Sequence, residues 1–287
     1  MLKPTIYTHQ YALGKRGEVV LTLSERTLIM GILNVTPDSF SDGGSYTDVE
    51  RALEHAHRMV ADGADILDIG GESTRPGSKP VELEEELRRV IPVIEALRRE
   101  LPHIAISIDT YKAEVARQAL EAGAHIMNDI WGGKLDPEMV QVAAAYQCPI
   151  ILMHNRPERN YESYIEDVMQ DLRESAELAL DAGVKRENIW LDPGMGFAKT
   201  GDDNLHLMHH LDDMVALGYP VLLATSRKRF IQNVLEAPAT DVIEGTAATV
   251  ALGIAQGCQM VRVHDVKQIV RTARMSDAML YKESIKI

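Results

Sequence analysis

The chain has 287 residues, with 30 basic against 43 acidic side chains and a formal net charge of −13. That length suits one large domain or two small ones, and it buries roughly three quarters of the unfolded surface without disulfides or structural metal. With 45% hydrophobic and 25% charged residues, the composition is that of an ordinary globular chain and excludes disorder or collagen-like order. No apolar run reaches the roughly 18 residues of a membrane span. The acidic balance argues against nucleic acid as a partner, because duplex binding wants a basic surface. The opening segment MLKPTIYTHQ has no apolar signal core. Cys148 and Cys258 are too few and too far apart for a disulfide framework or a zinc site. A cytoplasmic protein without membrane attachment is expected.

Residues 1–27 read as an N-terminal extension. A turn at Tyr11–Gly17, between Ile6-Tyr7 and Val19-Val20-Leu21, predicts a small β-hairpin. From residue 28 onward, short apolar runs alternate with longer amphipathic ones. The short runs cover 28–33, 66–69, 104–108, 125–127, 149–153, 188–191, 220–224 and 260–263. Continuous apolar runs of this kind mark strands buried on both faces, as in a parallel sheet. Between them, helical spacing covers 48–62 with Asp48 as its N-cap, then 82–100, 112–122, 136–146, 161–182 and 241–257, with a terminal helix over 265–280. Gly63, Gly123, Gly183 and Gly257 stand at helix ends, where a left-handed C-cap favours glycine.

Eight strands alternating with helices over 28–287 predict one (β/α)8 TIM barrel, a fold of roughly 250 residues, with the hairpin as a plug on its N-terminal face. A doubly wound open sheet is the alternative, but no Gly-x-Gly-x-x-Gly follows the first strand. In the barrel the active site lies where the strands end. Those ends carry Asn34, Gly70-Gly71-Glu72, Asp109, Asn128-Asp129, His154-Asn155, Asp192, Ser226 with Lys228, and Arg262 with His264. Singly, Asp129, Asp192 and Asn155 are equally well read as turn or cap formers. Together, polar groups on every strand end point to a site.

Arg262 and His264 are two residues apart, so they share a face. With Asn34 from the neighbouring strand they can hold a phosphate, for which arginine offers a matching fork. Asp109, Asn128, Asp192 and Lys228 suit a flat heterocycle with donor and acceptor edges; Lys228 is also a candidate Schiff-base lysine. The segments Thr36–Ser45 and Ser73–Pro80 are long, Gly/Pro/Ser-rich loops on the same face, candidates for lids. Phe40 and Phe197 are candidates for stacking on an aromatic substrate, whereas Phe230 reads as core.

The stretch Met30-Gly31-Ile32-Leu33-Asn34-Val35-Thr36-Pro37-Asp38-Ser39-Phe40-Ser41-Asp42-Gly43-Gly44 resembles the first signature of the dihydropteroate synthases. Gly70-Gly71-Glu72-Ser73-Thr74-Arg75-Pro76-Gly77 resembles the second. Ser107-Ile108-Asp109-Thr110-Tyr111-Lys112, Ile126-Met127-Asn128-Asp129, Leu191-Asp192-Pro193-Gly194-Met195-Gly196-Phe197, Ser226-Arg227-Lys228 and Arg262-Val263-His264 follow in that family's order.

The resemblance implies a transferase of folate biosynthesis. It condenses 6-hydroxymethyl-7,8-dihydropterin diphosphate with 4-aminobenzoate, giving 7,8-dihydropteroate and diphosphate. It implies pterin binding by Asp109, Asn128, Asp192 and Lys228, and diphosphate binding by Asn34, Arg262 and His264. It also implies 4-aminobenzoate binding by Phe40, Thr74, Arg75, Pro76, Phe197 and Ser226. Asp109, Lys228 and Arg262 would serve the chemistry, with Mg²⁺ on Asn34 and phosphate oxygens. Small-molecule substrates, a homodimer and inhibition by sulfonamides, which mimic 4-aminobenzoate, are expected with it. A pterin-dependent methyltransferase of the same barrel class would not need the Arg262/His264 pair together with the aminobenzoate loops. A non-catalytic relative would not need the polar set.

Overall fold

The computed structural model describes residues 4, 6–14, 17–36, 46–73 and 80–281. Among them, eight parallel strands follow one another round a barrel: β3 (Leu28–Asn34), β4 (Ile66–Gly70), β5 (Ala105–Asp109), β6 (Ile126–Asp129), β7 (Ile150–Met153), β8 (Ile189–Asp192), β9 (Leu222–Leu223) and β10 (Met260–Val263). β10 returns to pair with β3, from Met260 opposite Leu28 to Val263 opposite Gly31. The remaining seam, β8 to β9, closes through a parallel bridge from Leu191 to Val221, with the Leu191 N–H donating to Pro220 O at 2.9 Å. Proline lacks an N–H, so this strand is shorter than the predicted 220–224 while its carbonyl still serves the closure.

The predicted helices are present as α1 (Tyr46–Asp62), α2 (Leu83–Glu100), α3 (Ala113–Ala122), α4 (Glu138–Tyr146), α5 (Tyr164–Asp181), α9 (Ile243–Ala255) and α10 (Val266–Tyr281). Asp48 lies inside the first turn of α1 rather than capping it. α8 (Arg229–Leu235) is the short helix that carries Phe230; two others, α6 (Gly201–Met208) and α7 (Leu211–Val215), were not predicted, because about two turns or fewer leave little periodicity to read.

Alternation along the strands sorts the interior into layers. Leu28, Met30, Ile66, Ala105, Ile126, Ile151, Trp190, Leu222 and Met260 face inward and form the lower core of the barrel. The hairpin closes that core from below. Its strands are β1 (His9–Leu13) and β2 (Val19–Leu23), so Tyr11 belongs to a strand and not to the turn. Tyr11, Leu13, Val19, Leu21 and Leu23 join the same apolar cluster. Tyr11 Oη accepts from Trp190 Nε1 at 2.9 Å and donates to Glu187 O at 2.6 Å. The plug thus shares a core with the barrel. The alternate strand residues, such as Leu67, Ile69, Ile106 and Ile108, face the helices in a second, outer core.

Candidate active site

Two residues above the apolar layer, the same inward faces turn polar: Asp68 follows Ile66, Ser107 follows Ala105, Asn128 follows Ile126, Asp192 follows Trp190, and Arg262 follows Met260. Asp68 is opposite Ser107 in the β4–β5 register, and Asp109 is opposite both Gly70 and Asn128. A cavity opens above this layer, at the C-terminal ends of the strands. Asp109, Asn128, Asp192, Lys228 and Arg262 give it polar edges, while Ile130, Met153, Met195, Phe197 and Ala224 give it apolar walls. That combination fits a flat ring bound face-on by apolar side chains and edge-on by polar ones. The four predicted heterocycle ligands and Arg262 are therefore brought together.

Asp68 escaped the sequence reading, although an acidic residue in the middle of an apolar strand was the available signal. It is fully buried and accepts from Arg262 Nε at 2.6 Å and Asn128 Nδ2 at 3.2 Å. Arg262 Nη2 also donates to Asp109 Oδ2 at 2.5 Å. Burial, reinforced by the Asp68 and Glu86 charges, pushes the Asp109 carboxyl well above the usual carboxylate range despite Arg262. Burial likewise pushes Asp192 up to about 6, against the Gly194 N–H and the Lys228, Arg262 and Lys199 cations. Asp68 Oδ1, Asp109 Oδ1 and Ser107 Oγ are buried without a hydrogen-bond partner. Such atoms are uncommon in folded proteins and mark a floor that can take up a ligand's donors.

At the rim, Ser226 Oγ accepts from the His264 N–H at 3.1 Å and lies 3.0 Å from His264 Nδ1. The hydroxyl and the ring nitrogen are in hydrogen-bond contact. Ser226 is thus joined to the predicted phosphate residue His264. Asn34 stands one strand away. A Cβ at Gly70 would be 3.6 Å from Asn34 Oδ1 and 3.7 Å from Asp109 Oδ2, so these two oxygens flank a rim that glycine leaves open. Lys228 Nζ lies 4.5 Å over the Phe197 ring. Arg227 pairs bidentately with Asp265 at 3.0 and 2.6 Å. Phe230 is buried in α8, as expected. Phe40, Thr74, Arg75 and Pro76 lie outside the described residues.

The ambiguous strand-end residues separate here. Asp129 accepts from the Trp131 and Gly133 N–H groups and is a turn former. Asn155 Oδ1 accepts from the Arg156 N–H. His154 turns away from the cavity, to Asp171 and Lys199. Asp192 does both jobs, accepting from the Gly194 N–H at 2.7 Å while lining the cavity. Lys199 was also missed, because a lysine in a Gly-rich turn reads as solvated surface.

The barrel mouth combines a polar-edged slot with an arginine, and the family described as "Pterin binding enzyme" matches residues 30–264, so the chain belongs to that family. Within it, the relatives are dihydropteroate synthases. The chain is 60% identical over 265 residues to the dihydropteroate synthase of Bacillus subtilis (strain 168), covering 92% of this chain and 93% of that protein. It is similar to a dihydropteroate synthase from Clostridium difficile, solved in the presence of pteroic acid, with 48% identity, a TM-score of 0.87 and coverage of 95% and 100%. It is also similar to the Xanthomonas albilineans dihydropteroate synthase solved with 4-aminobenzoic acid, with 40% identity, a TM-score of 0.89 and coverage of 96% and 100%.

Proposed function

We propose that the barrel mouth carries out the dihydropteroate synthase reaction, with one division of labour among its residues. Diphosphate leaves the methylene of 6-hydroxymethyl-7,8-dihydropterin diphosphate as the C–O bond breaks, and the amine of 4-aminobenzoate attacks that carbon and gives up a proton. The pterin ring lies in the slot. Asp192 accepts from its N–H edge, Asn128 offers both a donor and an acceptor, and Lys228 meets a ring acceptor. Asp109, with one oxygen still unpartnered, faces the ring from the opposite wall. A cation delocalised into the ring is stabilised by these carboxylates.

Arg262 keeps N–H groups beyond those given to Asp68 and Asp109, and these with the His264 imidazole take the diphosphate. The Asn34 amide oxygen and the diphosphate oxygens form a hard-oxygen donor set that suits Mg²⁺, which commonly has few protein ligands. Among the described residues no group of three His, Cys, Asp or Glu side chains could hold a metal, in keeping with an ion carried mainly by phosphate. When bound, Mg²⁺ would neutralise charge on the leaving group. 4-Aminobenzoate sits outward of the pterin, against Phe197 and Ser226, with Phe40, Thr74, Arg75 and Pro76 supplied by the two long loops.

The observation that carries this reading is the single cavity joining Asp109, Asn128, Asp192 and Lys228 to Arg262. Incubation with the pterin diphosphate, 4-aminobenzoate and Mg²⁺, followed by chromatography and mass spectrometry, tests it. Dihydropteroate and diphosphate in equal amounts are expected; a methyl-transfer product, or none, would overturn it. A cytoplasmic location belongs to the same proposal, and the two buried free thiols, Cys148 and Cys258, support it.

The active form in this reading is a homodimer. Leu252 on α9 and Met275 and Met279 on α10 are 59%, 60% and 66% exposed, and the two helices pack together. Large exposed apolar side chains on two helices that pack together suit a self-complementary contact. Sedimentation equilibrium is expected to give a dimer that Met275→Glu with Met279→Glu dissociates; a monomeric wild type would contradict it.

A further inference from the structure

The turn from Pro193 to Lys199 supplies much of one wall of the cavity, through Met195 and Phe197. It folds back tightly. Gly194 has φ +67° and Gly196 φ +84°, and a Cβ at Gly194 would fall 1.9 Å from His154 O. Lys199 ties this turn together. Its ammonium lies 3.0 Å from Gly194 O, 3.0 Å from Phe197 O and 2.7 Å from His154 Nδ1. These are three acceptors for its three N–H donors. His154, with Nδ1 accepting, carries its proton on Nε2 and donates it to Asp171 Oδ2 at 3.0 Å. Arg156 Nε donates to the same oxygen at 2.6 Å. The chain Lys199–His154–Asp171 thus runs from the turn to α5 on the outside of the barrel.

We propose that Lys199 is a positioning residue for the pterin slot: its ammonium, seated on His154, holds the Gly194–Phe197 carbonyls so that the Gly194 N–H stays on Asp192 and Phe197 stays against Lys228. The charge acts alongside the geometry. The groups facing Lys199 are His154 at the end of β7, Asp171 on α5, Asp192 at the end of β8, Asp203 on α6 and Lys228 before α8. Of the carboxylates among these, Asp192 lines the cavity, and the cation supports its ionisation. Burial pulls Lys199 down to about 7, opposed by the Asp192, Asp171 and Asp203 charges. Burial keeps His154 neutral, down to about 4, as its acceptor role requires.

This inference rests on Asp192 binding the pterin, so the experiment carries Asp192→Asn as a reference. Lys199→Met, His154→Phe and the double variant are compared with wild type by steady-state kinetics from acid to alkaline pH. Folding is checked by circular dichroism. Lys199→Met is expected to raise the KM for the pterin diphosphate about tenfold, the scale of one lost charge-assisted contact, with a smaller change in kcat. The acid limb of kcat/KM reflects protonation of Asp192, and it should move to higher pH once the neighbouring cation is gone. His154→Phe should shift KM in the same direction, and the double variant should be little worse than Lys199→Met, since both act through one contact.

A folded Lys199→Met enzyme with a lower Tm but wild-type KM and acid limb would overturn the proposal, as would additive effects in the double variant. If Lys199→Met does not fold, an unchanged KM and acid limb in His154→Phe overturns it. If Asp192→Asn also binds pterin normally, the slot assignment itself is wrong, an outcome distinct from failure of the Lys199 proposal alone.

Discussion

Arg262 neutralises two buried carboxylates, Asp68 and Asp109, and faces the cavity with the rest of its guanidinium. Its removal therefore acts on both stability and turnover. Arg262→Ala strands two buried acids, a change that typically costs about 3–5 kcal/mol. Asp109 is already held well above the usual carboxylate range, and without Arg262 it goes higher. Acid pH then lets the buried carboxyl take a proton and lose its charge, so the Tm deficit of Arg262→Ala should be larger at alkaline than at acid pH. Thermal melts at both check this; an equal deficit would contradict it. In turnover the variant should lose about 10²-fold or more, as for other donors aimed at a developing anion. His264→Ala should be milder, and the pair non-additive. Asp192→Asn makes a sharper test of the slot. The Gly194 N–H pins one oxygen at 2.7 Å, so the new amide NH2 must face the cavity and oppose a ring donor. A loss of about 2–4 kcal/mol in pterin binding is expected by calorimetry; unchanged affinity would contradict it.

At the scale of elements, the strands were legible because parallel strands buried on both faces leave unbroken apolar runs, each ending in a polar residue. The same alternation that puts Ile66 in the lower core puts Asp68 in the cavity floor, yet its chemistry was hidden within an apolar run. Lys199 could not be read from spacing at all. Its role depends on the αL glycines that fold its turn back and on His154, 45 residues earlier. The hairpin was legible as a plug but not in its register, since Tyr11 looks like a turn flank until Trp190 lies beneath it. That contact is testable. Tyr11→Phe leaves the Trp190 N–H and Glu187 carbonyl without the phenol, and a loss of about 1–3 kcal/mol is expected in denaturant titration. Catalytic constants should be unaffected, because the plug closes the end of the barrel opposite the cavity. A variant as stable as wild type would contradict the assignment.

For the whole molecule, the barrel puts a polar slot at the ends of its strands, and the proposed division of the site predicts an order of binding. In the proposed arrangement the pterin subsite is floored by the buried Asp68 and Asp109, and the aminobenzoate stands outward of it. The second pocket is then complete only when the first is filled. A cationic intermediate also requires that water be kept out once diphosphate leaves. Titration of a sulfonamide, as a mimic of 4-aminobenzoate, should show weak binding to the free enzyme and much tighter binding with Mg²⁺ and diphosphate present; equal affinity in both would contradict the order. The most direct measurement of the central claim is the electron density of a crystal soaked with 6-hydroxymethyl-7,8-dihydropterin diphosphate and Mg²⁺. The account predicts the pterin ring in the slot, its N–H edge on Asp192 and Asn128, Lys228 on the ring and the diphosphate on Arg262 and His264. A ring bound elsewhere, or a diphosphate remote from the end of β10, would contradict it.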